Sequence, residues 1–597
     1  MSAARSLLVL VVATVVVTVA WSEPVPPPPA APWRGSVLPE QWRPGVPPSS
    51  ALVVPSPVTR DEAVDTVSLK EAIGLALENN PGIAAQRLEP SRQETTVLQA
   101  QAQFDPTLSG ELNYRRAVTP NASVLGGTQT SVVEDRYVNA HLFKLFRTGT
   151  QVTIDSLNDR LDNNSRFSQL RPEFIPQLNL SLVQPLLQNF GWDFTYLVVR
   201  VSEQNADAAV YTYEATLANF VLQVIQAYWG VVGAREQVTV AQDAKALADR
   251  TVDENQARVR VGLLPPVSVL EAQADAAARE SDLIQAENAL AVARQNLAQL
   301  VFFRPAGTFV PRTLEPGETA EPEDLKPNID DSLGIALVDR PEIQASARGV
   351  TVQELNEKIA SNTLLPQLNL VGSYGVNGLS GQNRQTGSLS TTTFSATRIP
   401  GADCVALSPT PPSQDTGGFL CNVRNTSTVS PFAGSRADAY DRMVSGDFNT
   451  YSVGVQVQVP LSNALAESQY AASRIARSEA ELNHRQLLST VTFEVRQAVA
   501  NVTSSRQRID TTRVARELAE ENLKNQQKRH EVGMATTKDL LDFQSRLTTA
   551  RGAEVQATVD YANSVAAWRR SEGRLLSHYQ IVVDHPGRRS APWFARF

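Results

Sequence analysis

This 597-residue chain is short of the side chains that most often hold metals or attack bonds, with two Cys, five His and three Met. The histidines, His141, His484, His530, His578 and His585, share no ligand spacing. No Walker loop, HExxH, CxxC pair, GxSxG elbow or dinucleotide-type glycine motif is present. An enzyme is therefore not expected, and neither is a metal or any other cofactor. The net charge of -8 argues against nucleic acid, which selects basic faces. Beyond the first residues no long unbroken apolar run occurs, so no helix of the exported chain is expected to cross a bilayer, which takes about 20 apolar residues. Glycine and proline are missing altogether from 461–532, a stretch of 72 residues. Such a stretch is free to stay helical throughout.

What is present begins with Arg5 and a run of apolar or small residues from Leu7 to Ala20, which reads as a secretory signal over 1–22, cleaved after Ala20 or Ser22. No Cys lies nearby to be lipidated. Twelve prolines between Pro24 and Pro57 make 23–66 an extended or disordered leader. Cys404 and Cys421 lie in a Ser/Thr/Gly-rich stretch, where a disulfide is the reading that suits an exported protein and two free thiols are the alternative.

The remainder is written twice. Residues 69–114 align with 329–374 at a constant offset of 260, with Gly74/Gly334, Pro81/Pro341, Ile83/Ile343, Pro106/Pro366, Leu108/Leu368 and Tyr114/Tyr374 among the identities. Later in each copy, ARVRVGLLPPVSVLEAQ (257–273) is echoed by KRHEVGMATTKDLLDFQ (528–544) at offset 271. This is a tandem duplication rather than a short solenoid repeat, with a first repeat over 67–325, a second over 326–580 and a tail over 581–597.

Each copy opens with a short helix that ends at a proline, followed by a second helix to about Gln103 or Thr363. Alternating segments come next. In YSVGVQVQVPL, Val453, Val455, Val457 and Val459 share one face, and Ser452, Gly454, Gln456 and Gln458 the other, which is the period of a strand. After Pro460, the spacing of Val491, Val495, Ala498, Val502 and Ile509 is that of a helix stripe. The first copy suggests an equally long helix from Gln188 to about Arg260, interrupted by Gly191, Gly230 and Gly233. Helices of this length exceed any ordinary core and call for coiled-coil packing. The strands, four to six in number, suit either a soluble sandwich with one wet face or a transmembrane barrel. A barrel would have to be shared between subunits, because even the smallest needs eight strands. The fold expected is mainly α with membrane β: a long α-helical coiled-coil barrel plus a shared transmembrane β-barrel, internally duplicated.

The paired helix–proline starts, LPQLNL, VQPLL and VQVPL at the strand–helix joints, and the tips VGLLPPVSVL and VGMATTKDLL occur in one order over about 66–580. In this the chain resembles the TolC-like outer membrane factor family, also called outer membrane efflux proteins. The resemblance implies a homotrimer with a twelve-stranded barrel in outer membrane lipid and a helical tunnel in the periplasm. It implies a passive exit duct of a tripartite efflux or type I secretion system. The tips Val261-Gly262-Leu263 and Val532-Gly533-Met534 would form the mouth, docking a periplasmic adaptor (membrane fusion) protein coupled to an inner-membrane transporter. A non-pore periplasmic coiled-coil scaffold is the alternative.

In that family acidic residues after the second tip constrict the mouth. The matching positions are Asp539 and Asp542, with Ser268 and Glu271 after the first tip. Capping boxes, Thr536–Asp539 and Ser268–Glu271, compete as a reading of the same residues. The family's closing latch maps to His530, Ala535 and Ser268 and cannot form as known. The expectation here is closure by the acidic ring and packing alone. Two departures remain. Residues 137–156 carry extra strand-like sequence pivoting on Thr148-Gly149, placed either in the barrel or outside it as a surface hairpin. Residues 377–449 form a long, irregular insertion that holds both cysteines.

Overall fold

Pro81 and Pro341 each open a helix in the computed structural model of the chain, because a proline at the first helical position gives up only an N–H that has no partner there. The structure describes residues 65–121, 129–165, 168–192, 194–302, 314–318, 323–383, 390–395, 397–398, 400, 403–406, 419–424 and 429–583. All of them belong to one unit, Glu62–Phe597. The expected signal peptide, the expected leader up to residue 64 and the expected tail from residue 584 lie outside the described residues.

In chain order the helices are α1 (Leu69–Asn79), α2 (Pro81–Ala102), α3 (Leu197–Arg260), α4 (Val267–Phe302), α5 (Ile329–Asp339), α6 (Pro341–Asn362), α7 (Arg436–Ser445), α8 (Ala464–Glu531), α9 (Thr537–Ser571) and α10 (Leu575–His578). The strands are β1 (Asp65–Val67), β2 (Thr107–Pro120), β3 (Thr130–Leu145), β4 (Gln151–Asn163), β5 (Leu170–Pro185), β6 (Leu314–Pro316), β7 (Gln367–Asn377), β8 (Ser380–Asn383), β9 (Ser390–Ser395), β10 (Asp403–Ala406), β11 (Phe419–Arg424) and β12 (Asn449–Gln458). The duplication is visible residue for residue: α1 and α5 have 11 residues each and α2 and α6 have 22, all at the offset read from the sequence. Two small boundaries shift. β1 begins at Asp65, inside the expected leader, because it pairs in parallel with β6. At the other end Ile581 and Val583 pack on the core although the tail was expected to start at 581.

α3 is continuous over 64 residues, about 96 Å at 1.5 Å per residue, and α8 over 68, about 102 Å. Gly230 and Gly233 lie within α3 without breaking it. The helix starts at Leu197 rather than at Gln188, because Asn189 and Gly191 take positive φ and turn the chain first. α3 packs against α2, α4, α6 and α9, and α8 against α5, α6 and α9. The main core sits where α1 lies on α3 and α4: Ile73 and Ala76 meet Val221, Val224, Ile225, Tyr228, Leu297 and Val301. Tyr228 seals it by donating its hydroxyl to the Val67 carbonyl at 3.0 Å. α3 is, among the described residues, the one helix long and apolar enough to span a membrane, and half of its most apolar stretch is buried in this core. In the second copy Ala336 and Ile343 pack on Val491 and Val495, and Val502 and Ile509 on Ala557, Tyr561 and Val565. The stripe read from the sequence is thus the buried face of α8.

The large sheet runs β12-β7-β5-β4-β3-β2, each neighbour antiparallel, with β8 continuing along β5 beyond β7. Its register aligns Leu108, Leu142, Ile154, Leu180, Tyr374 and Tyr451 in one row across six strands. The adjacent row, pointing to the other face, is Ser109, His141, Asp155, Asn179, Gly375 and Thr450. Side chains alternate along a strand, so one face is apolar and the other polar over the whole width. The 137–156 segment forms β3 and β4, between β2 and β5 in this sheet. The described residues of the 377–449 insertion include α7 and a three-stranded sheet, β10-β11-β9, in which Cys404 and Cys421 are joined.

Candidate channel mouth

Both Val-Gly steps end a long helix in the same way. Val261 and Val532 are the last half-helical residues, and Gly262 and Gly533 follow at φ +78° and +77°. The amide of Gly262 donates to Val259 O (3.0 Å) and that of Leu263 to Arg258 O (2.8 Å). At the second tip Gly533 donates to His530 O (3.1 Å) and Met534 to Arg529 O (2.8 Å). This crossed pair satisfies two otherwise orphaned carbonyls, and its left-handed residue is almost always glycine. Val261, Leu263, Val532 and Met534 stand at 66–74% exposure, an apolar crest with nothing of this chain over it.

The return helices start differently. At the second tip Thr536 caps α9: its Oγ1 accepts from Asp539 N–H (3.2 Å), and the Asp539 carboxylate accepts from Thr536 N–H (3.1 Å) and from the Thr536 hydroxyl (2.7 Å). The Thr536 hydroxyl and amide, with Lys538 and Arg529 nearby, hold the Asp539 carboxyl below the usual aspartate range. At the first tip the expected Ser268–Glu271 box is absent. Pro265-Pro266 move the helix start to Val267, and buried Ser268 donates its hydroxyl back to Pro265 O at 2.7 Å. Glu271, Asp539 and Asp542 are all exposed, and Asp542 pairs with Arg546 one turn on at 2.8 Å. The structure does not bury any of the three against another element.

The two tips are tied together by groups the sequence does not advertise. Asn255, fully buried, donates to Ser268 O (3.2 Å) and to Thr537 Oγ1 (3.4 Å), while its own Oδ1 has no partner. Arg258 donates to His530 O at 3.1 Å, and Gln544 to Thr251 Oγ1 at 3.0 Å. His530 Nδ1 lies 3.0 Å from Ala535 O. Beneath them Leu523, Leu540 and Leu547 pack with Leu247 and Phe543. Hydrogen bonds thus join the two tips within the chain, at positions where the resemblance offers no latch. The signal that could have exposed them is the duplication itself. At offset 271, Asn255 corresponds to Gln526, and both amides are buried.

The outer membrane efflux protein family matches residues 166–301 and 428–574, one segment in each copy. Outer membrane protein TolC of Vibrio cholerae is 24% identical over 418 residues, covering 68% of this chain and 78% of that protein. Protein CyaE of Bordetella pertussis is 29% identical over 177 residues, and there the match spans 30% of this chain and 37% of its relative. The crystal structure of the Campylobacter jejuni CmeC outer membrane channel superposes with a TM-score of 0.56 at 17% identity, covering 85% of this chain and 86% of that one. With two family segments, one in each half, and this fold around them, the chain is similar to the outer membrane efflux proteins.

Proposed function

We propose that this chain is the outer-membrane exit duct of an efflux or type I secretion system, assembled as a homotrimer from its two repeats, 67–325 and 326–580. One observation carries the reading: a six-stranded sheet with one apolar and one polar face, and no partner among the described residues for either edge strand. Lipid does not tolerate open strand edges, so the sheet must be completed by other copies, and its polar face then lines a water-filled bore. A scaffold without a pore has no use for such a sheet. α8 supports assembly independently. At 100° per residue, Ile475, Leu482, Phe493 and Leu518 fall within about 20° of one another, opposite the buried stripe. All four are exposed.

In this reading the Gly262 and Gly533 tips form the periplasmic mouth. Their exposed apolar crest, Val261, Leu263, Val532 and Met534, docks a periplasmic adaptor protein, which couples the duct to an inner-membrane transporter that supplies the energy. Asp539 and Asp542 sit i,i+3 on one face of α9, and three-fold symmetry gathers them, with Glu271, into a carboxylate ring that favours cations. The test is single-channel conductance in a planar bilayer. Asp539→Asn/Asp542→Asn is expected to weaken cation preference and raise conductance through a looser mouth; unchanged values would remove these residues from the constriction. Asp539 has a lowered pKa, so its charge persists at pH 4.5. Its contribution, to capping as to selectivity, fades only as pH falls through a value below the ordinary 3.8.

A further inference from the structure

We infer that the membrane barrel of this protein has eighteen strands rather than twelve, because the β3–β4 hairpin is part of its wall. The inference rests on the homotrimer reading above and fixes the width of its bore.

The hairpin sits inside the sheet, not on its edge: β3 pairs with β2 over fourteen residues and β4 with β5 over eleven. Its faces continue those of its neighbours, with Val138, Leu142, Val152 and Ile154 on the apolar side and Asn139, His141, Thr153 and Asp155 on the polar side. On the polar side His141 and Asp155 meet at 2.7 Å, a pair that needs water or a partner and would be misplaced in lipid. The turn at 146–150 is anchored to the strand–helix joint. Lys144 donates to Phe104 O at 2.7 Å, the Arg147 guanidinium lies 4.3 Å over the Tyr196 ring, and the Thr150 hydroxyl bonds Gln184. A surface flap would have no such fastening at its base.

Among the described residues the unpaired edges are therefore β2 and β12. These two strands are exposed over nearly their whole length, whereas the four between them are partly covered. The partner that completes both is a second copy of this chain, β2 of one against β12 of the next. Six strands closed on themselves fall short of the smallest barrel, and three copies give eighteen. Barrel diameter grows about linearly with strand number, so the bore is about one and a half times as wide as that of a twelve-stranded wall.

The expected spacing can be calculated. With strands about 4.8 Å apart and tilted about 40°, one residue in each of three copies forms a triangle of side about 31 Å in eighteen strands and about 21 Å in twelve. Asn369 on β7 belongs to the wall under either count. Spin-labelled Asn369→Cys in the detergent-purified assembly is expected to give the longer distance by pulsed EPR. In proteoliposomes, Thr153→Cys is expected to react with a water-soluble maleimide and Ile154→Cys to be protected from it. A native mass of three copies with the short distance, or equal labelling of residues 153 and 154, would overturn the eighteen-stranded wall. A mass other than three copies would instead overturn the trimer reading on which it rests.

Discussion

Asn255 is fully buried and bonds a residue at each of the two tips. A buried amide that gives one hydrogen to the return helix of its own tip and the other to the opposite tip, and leaves its oxygen without a partner, costs stability unless the joint it makes matters. Asn255→Ala removes the donor but leaves Ser268 O and Thr537 Oγ1 buried. That is expected to cost about 1–3 kcal/mol locally and to shift the mouth toward opening, read as higher single-channel conductance with unchanged trimer yield. Asn255→Leu should not restore closure, because volume is not what the site lacks. The Val-Gly turns are legible in the sequence because the same dipeptide follows two long breaker-free patterns, and a left-handed residue after a helix selects glycine by sterics alone. The cross-tip bonds are not, because Asn255 and Thr537 lie 282 positions apart. No local pattern connects residues that only the packing of α3 on α9 brings together.

Among the elements, α3 shows how the same residue type plays two parts. A Cβ added at Gly230 meets nothing within 4 Å, whereas one at Gly233 comes within 2.8 Å of Val559 Cγ2 on α9. Gly230→Ala is expected to stabilise the protein by up to about 1 kcal/mol through helix propensity. Gly233→Ala is expected to destabilise it by about 1–3 kcal/mol through overpacking. Val559→Ala in the same chain should recover part of that loss, a coupling that a double-mutant cycle on the unfolding temperature measures. Neither glycine was readable as tolerated from the sequence, because propensity weighs against both and only the neighbouring helix separates them. Strands divide in a similar way. β7 and β12 are legible, since nearly every second residue is apolar. β3 and β4 are not placed by their sequence, because Glu134, Arg136, Arg160 and Asp162 fall on the same face as Val138, Leu142, Val152 and Ile154 and blur the alternation. Their register against β2 and β5 is what assigns each residue to a face.

For the whole molecule, the question raised by the proposed trimer is what would hold three copies together. The unpaired edges of the sheet and the exposed stripe of α8 are separate answers in separate places. α8 carries two apolar faces about 180° apart, and the chain itself covers only one of them. Val502, on the covered face, is fully buried, whereas Phe493, on the other, is 68% exposed. Covering Phe493 in an assembly is worth about 2 kcal/mol per copy, and a trimer collects that three times. Phe493→Asp is therefore expected to leave the folded monomer within about 0.5 kcal/mol of wild type while abolishing the heat-resistant trimer on gels of outer-membrane fractions. Val502→Asp, by contrast, places a charge in the core between α8 and α9 and should remove folded protein altogether. If Phe493→Asp still formed a full yield of heat-resistant trimer, the α8 stripe would not be the interface. Assembly would then have to rest on the β2 and β12 edges and the remaining helix faces.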